Sequence, residues 1–302
     1  VLDARPLEPL PAGVPRPELA VNLHGRGPES HRVLLALRPG RLVAFGCEAA
    51  GVAGPAWREA EHEVHRWCRL LRESGVPADP TRLDLLSPPS PGPPWLAGAT
   101  LLHPGAASGS RRWPAERWAA VAREEVRAGR RVAVSGSPGE VGLARAVARG
   151  AGLGEEAVLA GRTGVLALAG AVAAAGRVAS GDTGVAHLAT ALGTPSVTLF
   201  GPTPPGLWGP PDRPRHRVLW HGRGRGDPHG AEPDPALLAI GVQEVVAALA
   251  ACGSADGAAG RSEPAHGLTM RRSRWPNTNR RIPRRPRAAR RRTPPSPSSP
   301  SG

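Results

Sequence analysis

Ser180-Gly181-Asp182-Thr183-Gly184-Val185-Ala186-His187-Leu188-Ala189-Thr190-Ala191-Leu192-Gly193-Thr194-Pro195-Ser196-Val197-Thr198-Leu199-Phe200-Gly201-Pro202-Thr203 is the most informative stretch of this 302-residue chain. It reads as a strand end, a glycine turn, a short helix stopped by Gly193, a buried strand over 196–200 and a second glycine turn. Asp182 or Thr183 can cap the helix. The free N–H groups of Gly184 and Val185 then give that helix end a positive potential suited to a phosphate. His187, one turn in, can donate to a phosphate oxygen or a sugar hydroxyl. Taken alone, the same residues also fit a plainer role, with Asp182 only a cap and His187 a packing residue.

The same rhythm precedes this stretch. Strands are predicted over 99–103, 131–135 and 177–180, and helices over 114–128, 139–151 and 165–175. Strands alternating with helices imply an α/β fold with a parallel, doubly wound sheet, in which ligands bind at the carboxyl ends of the strands. Two further turns lie there. His103-Pro104-Gly105-Ala106-Ala107-Ser108-Gly109-Ser110-Arg111-Arg112-Trp113-Pro114 leaves a strand and enters a helix, with Pro114 at the first helical position. Small residues from Gly105 on let the backbone approach a ligand, and Arg111 and Arg112 supply forked cations for a pyrophosphate. A solvated loop bearing two surface arginines would carry the same composition. Ser135-Gly136-Ser137-Pro138-Gly139-Glu140 closes the next strand. Glu140 can accept from ribose hydroxyls beside Gly136, or simply complement the helix dipole.

The segment before residue 86 reads as a βαβ unit, with strands at 19–23 and 42–45 and a helix at 30–37. An amphipathic helix over 59–75 follows, presenting Val64, Trp67, Cys68 and Leu71. The run Ser87-Pro88-Pro89-Ser90-Pro91-Gly92-Pro93-Pro94 resists both helix and strand and reads as a semi-rigid linker. A final helix is expected over 235–251. The domain reading is therefore a partial N-terminal domain at 1–86, a linker at 87–97, a second domain at 98–252 and a tail at 253–302.

Composition bounds the function. With no Tyr and two Phe, the core must be aliphatic. Cys47, Cys68 and Cys252 form no Cys-x-x-Cys pair, so neither a zinc site nor a disulfide framework is indicated, which fits a reducing, cytoplasmic setting. The longest aliphatic run, 165–175, is shorter than the roughly 18 apolar residues of a membrane span. The net charge of +14 is concentrated at one end: from residue 261 onward, twelve Arg and one Glu account for +11, leaving +3 for the rest. That Arg/Pro/Ser-rich end is expected to be disordered. It could bind phosphates non-specifically, but Trp275 is its one aromatic residue for stacking bases, so no specific nucleic-acid partner is indicated.

Residues 103–114 and 180–195, together with Phe200-Gly201-Pro202-Thr203 and Leu207-Trp208-Gly209-Pro210, resemble glycosyltransferase family 9, the heptosyltransferases. The resemblance covers about residues 15–250. It implies a GT-B fold of two Rossmann-like domains and transfer of a sugar, typically heptose from an ADP-sugar, to a saccharide or lipid-linked acceptor with inversion. It implies no metal and no cofactor. Arg111 stands where the family usually has a Lys that neutralises donor phosphate, and Asp182, Thr183, Gly184 and His187 would line the phosphate and sugar pocket. Asn22-Leu23-His24-Gly25 resembles the family's Asp-x-Gln-Gly. The family's opening strand and Gly-Asp loop, which carry the acidic base, have no counterpart here, so the N-terminal domain is read as partial and no catalytic residue is assigned. The resemblance also implies a cytoplasmic enzyme in peripheral contact with anionic membrane. A nucleotide-sugar epimerase and a non-catalytic nucleotide-sugar binder are the competing readings.

Overall fold

The computed structural model describes residues 7–254 except 12, 86, 87 and 89. The tail read at 253–302 lies outside the described residues beyond 254. The described residues belong to one compact unit, Val1–Arg261, and carry two separate parallel sheets.

The smaller sheet pairs β1 (Leu19–Val21) with β2 (Arg41–Val43) across α1 (Glu29–Leu35), as the βαβ reading expects. Its polar interior is fully used. The Asn22 amide donates to Ser30 Oγ (2.9 Å) and meets His31 Nδ1 (3.0 Å), while His31 Nε2 donates to the Phe45 carbonyl (2.8 Å). Asn22 Oδ1 accepts from the His24 N–H at 2.9 Å and so shapes the 22–25 turn.

The amphipathic helix is shorter than expected, α2 (Glu63–Glu73), and a different face is buried. Leu70 and the charged Arg66 and Arg69 lie inside, whereas Val64, Trp67, Cys68 and Leu71 are half-buried. The cause is Arg66, whose Nη2 donates to the carbonyls of Arg58, Glu59 and Glu61. The chain wraps around that guanidinium instead of beginning a helix at 59. Buried arginine is tolerable because both Nη groups are paired in this way, Nη1 with the Glu63 carboxylate as well.

The larger sheet is built from β3 (Thr100–His103), β4 (Val132–Val134), β5 (Arg177–Gly181), β6 (Ser196–Leu199) and β7 (His216–Leu219). Its order is β4-β3-β5-β6-β7, with every neighbouring pair parallel. Between the strands run α3 (Ala115–Arg127), α4 (Val141–Gly150), α5 (Val165–Ala174) and α6 (Gly184–Ala191), then α7 (Pro205–Trp208), α8 (Pro235–Leu238) and α9 (Val242–Ser254). Strand side chains alternate between faces. Leu102, Val132, Val134 and Val197 pack with Trp118, Val121, Val147, Val245 and Leu249 on one side. Leu101, Ala133 and Val178 pack with Val172, Val185 and Ala189 on the other. Each of these buried Val and Leu side chains contributes about 1.5–3 kcal/mol. The alternating chain therefore closes into three layers, as the sequence expects.

Three local readings change. Pro114 occupies the N-cap of α3, one residue before the helix. The expected helix over 235–251 breaks into α8 and α9, because the Ile240 carbonyl between them accepts from Trp113 Nε1 (3.3 Å) and Arg117 (3.0 Å). The proline-rich run ends in a single 3-10 turn, Pro94–Leu96, with Leu96 fully buried. Gly92 is packed so closely on α5 that a Cβ there would lie 2.2 Å from the Gly170 carbonyl oxygen. Among the described residues no helix is long and apolar enough to cross a membrane.

Candidate active site

Chain order and strand order locate the crevice. After β3 the chain moves to β4 on one side and then crosses to β5 on the other, so the turns leaving β3 and β5 part to opposite faces. In open parallel sheets this switch point is where ligands bind. The turn 103–114 and the turn 181–184 meet there: Arg111 Nη1 lies 3.4 Å from the Asp182 carbonyl, and Arg111 Nε donates to Ser108 Oγ at 3.2 Å.

Neither Asp182 nor Thr183 caps α6 with its side chain, contrary to the sequence reading. Thr183 occupies the N-cap in an extended conformation, and its buried Oγ1 has no hydrogen-bond partner, as is also true of Ser180 Oγ three residues earlier in β5. Gly184 is exposed, and a Cβ placed there would meet nothing within 4 Å. A helix end without a side-chain acceptor, next to an orphaned hydroxyl and a guanidinium, is suited to an anion. Asp182 is buried, and that burial pushes its carboxyl from 3.8 up to about 6, with the Arg111 charge acting in the opposite sense. His187 keeps an open edge to solvent but is crowded by protein on its other sides, and this desolvation lowers its pKa below the ordinary 6.5. Its ring leans on Trp208, with centroids 6.0 Å apart.

The other flank gathers Gly105, Gly136 and Glu140. Glu140 closes a capping box: its Oε2 accepts from the Ser137 N–H at 2.7 Å. The same carboxylate lies against Gly105, where a Cβ would approach Glu140 Oε1 to 2.1 Å. Gly136 is packed against Glu140 and Ala160. His103, which the sequence reading did not single out, is buried between the flanks, with Nδ1 3.0 Å from Ser135 Oγ. Burial lowers its pKa, against the raising effect of the Glu140 charge. The two arginines diverge. Arg112 Nε donates to the Ala106 carbonyl at 2.8 Å, so part of its fork secures its own loop instead of joining Arg111.

A cavity of about 520 Å³ opens beside this crevice, lined by Trp57, Trp67, Trp208, Arg66, Arg225 and Glu59 among others. Buried Trp57 Nε1 and Arg66 Nε have no hydrogen-bond partner there.

The model of glycosyltransferase family 9 (heptosyltransferase) matches residues 56–227, from the residue before Trp57 past the whole crevice. The chain belongs to glycosyltransferase family 9. It is 37% identical over 125 residues to lipopolysaccharide heptosyltransferase 1 of Pseudomonas aeruginosa, a match covering 41% of this chain and 33% of that relative. The chain thus spans about a third of that curated relative. Its fold is that of the family 9 glycosyl transferase from Veillonella parvula (TM-score 0.62, 19% identity, 79% of this chain and 74% of that one). It is also that of E. coli ADP-heptose LPS heptosyltransferase II (TM-score 0.61, 21% identity, 80% and 77%). The E. coli heptosyltransferase WaaC solved with ADP is more distant (TM-score 0.51, 20% identity, 76% and 71%).

In this family 9 chain the turn bearing Arg111 is held from outside the quoted motifs. Ser108 Oγ donates to the Pro228 carbonyl (2.6 Å), and the Ser110 N–H donates to the Gly230 carbonyl (2.9 Å). Gly109 fits beneath residue 231 only because it has no side chain, since a Cβ would lie 1.5 Å from the Ala231 oxygen. Residues 228–231 carry little apolar or periodic signal, so their role could not be read from the sequence.

Proposed function

We propose that this chain binds a nucleotide diphosphate sugar, ADP-heptose, in the switch-point crevice and transfers the heptose to a saccharide or lipid-linked acceptor with inversion. The observation that carries the proposal is Arg111 set against the uncapped start of α6, where Thr183 has a buried hydroxyl without a partner. The E. coli relative solved with ADP supports the choice of adenine diphosphate.

In this reading, Arg111 and the first N–H groups of α6 hold the diphosphate and stabilise the charge it gains as it leaves. Arg112 adds a second positive charge at the rim. Asp182 and His187 face the sugar, and Glu140, with Gly105 and Gly136 beneath it, faces the ribose. The acceptor oxygen bonds to the far side of the anomeric carbon as the bond to the diphosphate breaks, the diphosphate taking the electron pair and the acceptor hydroxyl's proton passing to water. The cavity walled by Trp57, Trp67 and Trp208 is the approach for the acceptor, because apolar ring faces suit sugar C–H surfaces. The division at 87–97 separates this donor side, 98–252, from the acceptor side, 1–86. A cytoplasmic position in peripheral contact with anionic membrane, where lipid-linked acceptors lie, belongs to the same proposal.

The test is calorimetric titration with ADP, ADP-heptose and UDP-sugars. Binding selective for adenine diphosphates is expected, and folded protein that binds none of them overturns the reading.

A further inference from the structure

His62 is committed to a single tautomer. It occupies the N-cap of α2, and its Nδ1 accepts from the Val64 N–H at 3.2 Å. A ring nitrogen that accepts from an amide carries no proton, so the proton is on Nε2, which donates to the Gly209 carbonyl at 3.0 Å. The two bonds lie at opposite ends of one ring and join parts of the chain 147 residues apart. Gly209 directly follows Trp208, whose ring leans on His187 of α6. His62 and His187 also wall the same cavity of about 290 Å³, together with Trp67, Leu83 and Trp208. Desolvation, more than any charge, lowers the His62 pKa below 6.5 and so favours the neutral ring, the state that acceptance at Nδ1 requires.

An ordinary helix cap needs only the first of these bonds. Ser, Thr, Asp or Asn would supply it with less side chain, and His is not among the preferred caps. The second bond is the one that needs an imidazole, because the far nitrogen reaches past the cap to the 208–209 turn. The ring therefore acts as a spacer of fixed length between the start of α2 and the residue that buttresses His187.

We propose that His62 is a positioning residue for the sugar end of the donor pocket: through Gly209 it sets Trp208 against His187, so that the segment carrying α2 controls the geometry at α6. This rests on the assignment of α6 as the donor end, and it places His62 outside contact with the donor itself. The diphosphate end is anchored separately by Arg111, whose bonds run to Ser108 and Asp182.

The test separates the two bonds. His62→Asn keeps an N-cap acceptor for Val64 but is too short to reach Gly209, whereas His62→Ala loses both. The expected result is that the Asn variant still folds with a cooperative unfolding transition and loses less stability than the Ala variant. Its His187 imidazole proton resonance, identified by its absence in His187→Gln, shifts in the same direction as in Trp208→Ala. An unmoved His187 resonance in His62→Asn, or in Trp208→Ala, overturns the proposal, and neither result depends on any nucleotide binding. Calorimetry on the same variants adds a second arm. Affinity for ADP stays level while affinity for ADP-heptose falls about two- to tenfold, the value of one hydrogen bond's worth of positioning. Equal affinity of His62→Asn and wild type for ADP-heptose overturns the proposal. Failure of wild type to bind ADP overturns the donor reading instead and leaves the resonance result to judge His62.

Discussion

Replacing Asp182 with Asn should stabilise the protein, and by an amount that depends on pH. Burial holds the Asp182 carboxyl at about 6 instead of 3.8, with Arg111 only partly offsetting that cost. A folded-state pKa raised above the unfolded value means that ionisation costs more in the folded protein. The penalty is absent well below 3.8, grows as pH rises, and is complete above about 6. At 1.36 kcal/mol per pH unit, the full penalty is about 3 kcal/mol. Asn does not ionise, so the variant should gain on wild type by about 0.5 kcal/mol at pH 4 and about 3 kcal/mol at pH 8, over any constant difference in packing. The assay is urea unfolding followed by circular dichroism from pH 4 to 8 in a buffer free of phosphate. Subtracting wild type from variant removes the contribution of every other titrating group. A residue that lowers stability while lining a crevice is what a site selected for binding produces. A stability difference that stays flat across this range would refute the reasoning, because it would mean Asp182 ionises as freely in the folded chain as in the unfolded one.

Gly109→Ala should lower stability by about 1–3 kcal/mol, read from the thermal midpoint, because its Cβ would collide with the Ala231 carbonyl. Arg130→Ala should cost about 3 kcal/mol or more by urea unfolding, since it strips the fully buried Glu125 carboxylate of its bidentate partner. Burial alone would raise the Glu125 pKa, but its bonds to Arg130 and Thr100 hold it below the ordinary value. His62, His103 and His187 all have pKa values lowered chiefly by burial. Their stabilising contribution is therefore complete above pH 6.5 and lost as pH falls through their folded values, so wild-type stability should decline on acidification below 6.5 and decline less in His103→Gln.

The larger sheet was legible because its strands are short aliphatic runs closed by Gly or Ser turns, and its helices carry clear stops such as Gly193. The carboxyl-end turns followed, and Arg111, Asp182, Thr183 and Gly184 do converge there. β7 was missed: His216-Arg217-Val218-Leu219 follows a proline-rich stretch and lies at the sheet edge, where only one neighbour fixes it. The buried face of α2 was misjudged for a different reason. Hydrophobic periodicity assumes that charge faces water, and Arg66 and Arg69 instead sit inside, bonded to carbonyls and carboxylates that come from residues 56–63. The break between α8 and α9 depends on Trp113 and Arg117, more than a hundred residues away. The cap expected from Asp182 or Thr183 failed because the local pattern cannot show whether a side chain turns toward its own helix or into a crevice. Such long-range partners leave no local trace in composition or spacing.

The most direct measurement is a crystal structure of the chain with ADP bound. The account predicts the diphosphate within hydrogen-bond distance of the Arg111 guanidinium and the N–H groups that open α6, with the ribose on the Glu140 side. A diphosphate lodged elsewhere, for instance against Arg223 and Arg225 beyond β7, or seated at α6 without contact to Arg111, would contradict it.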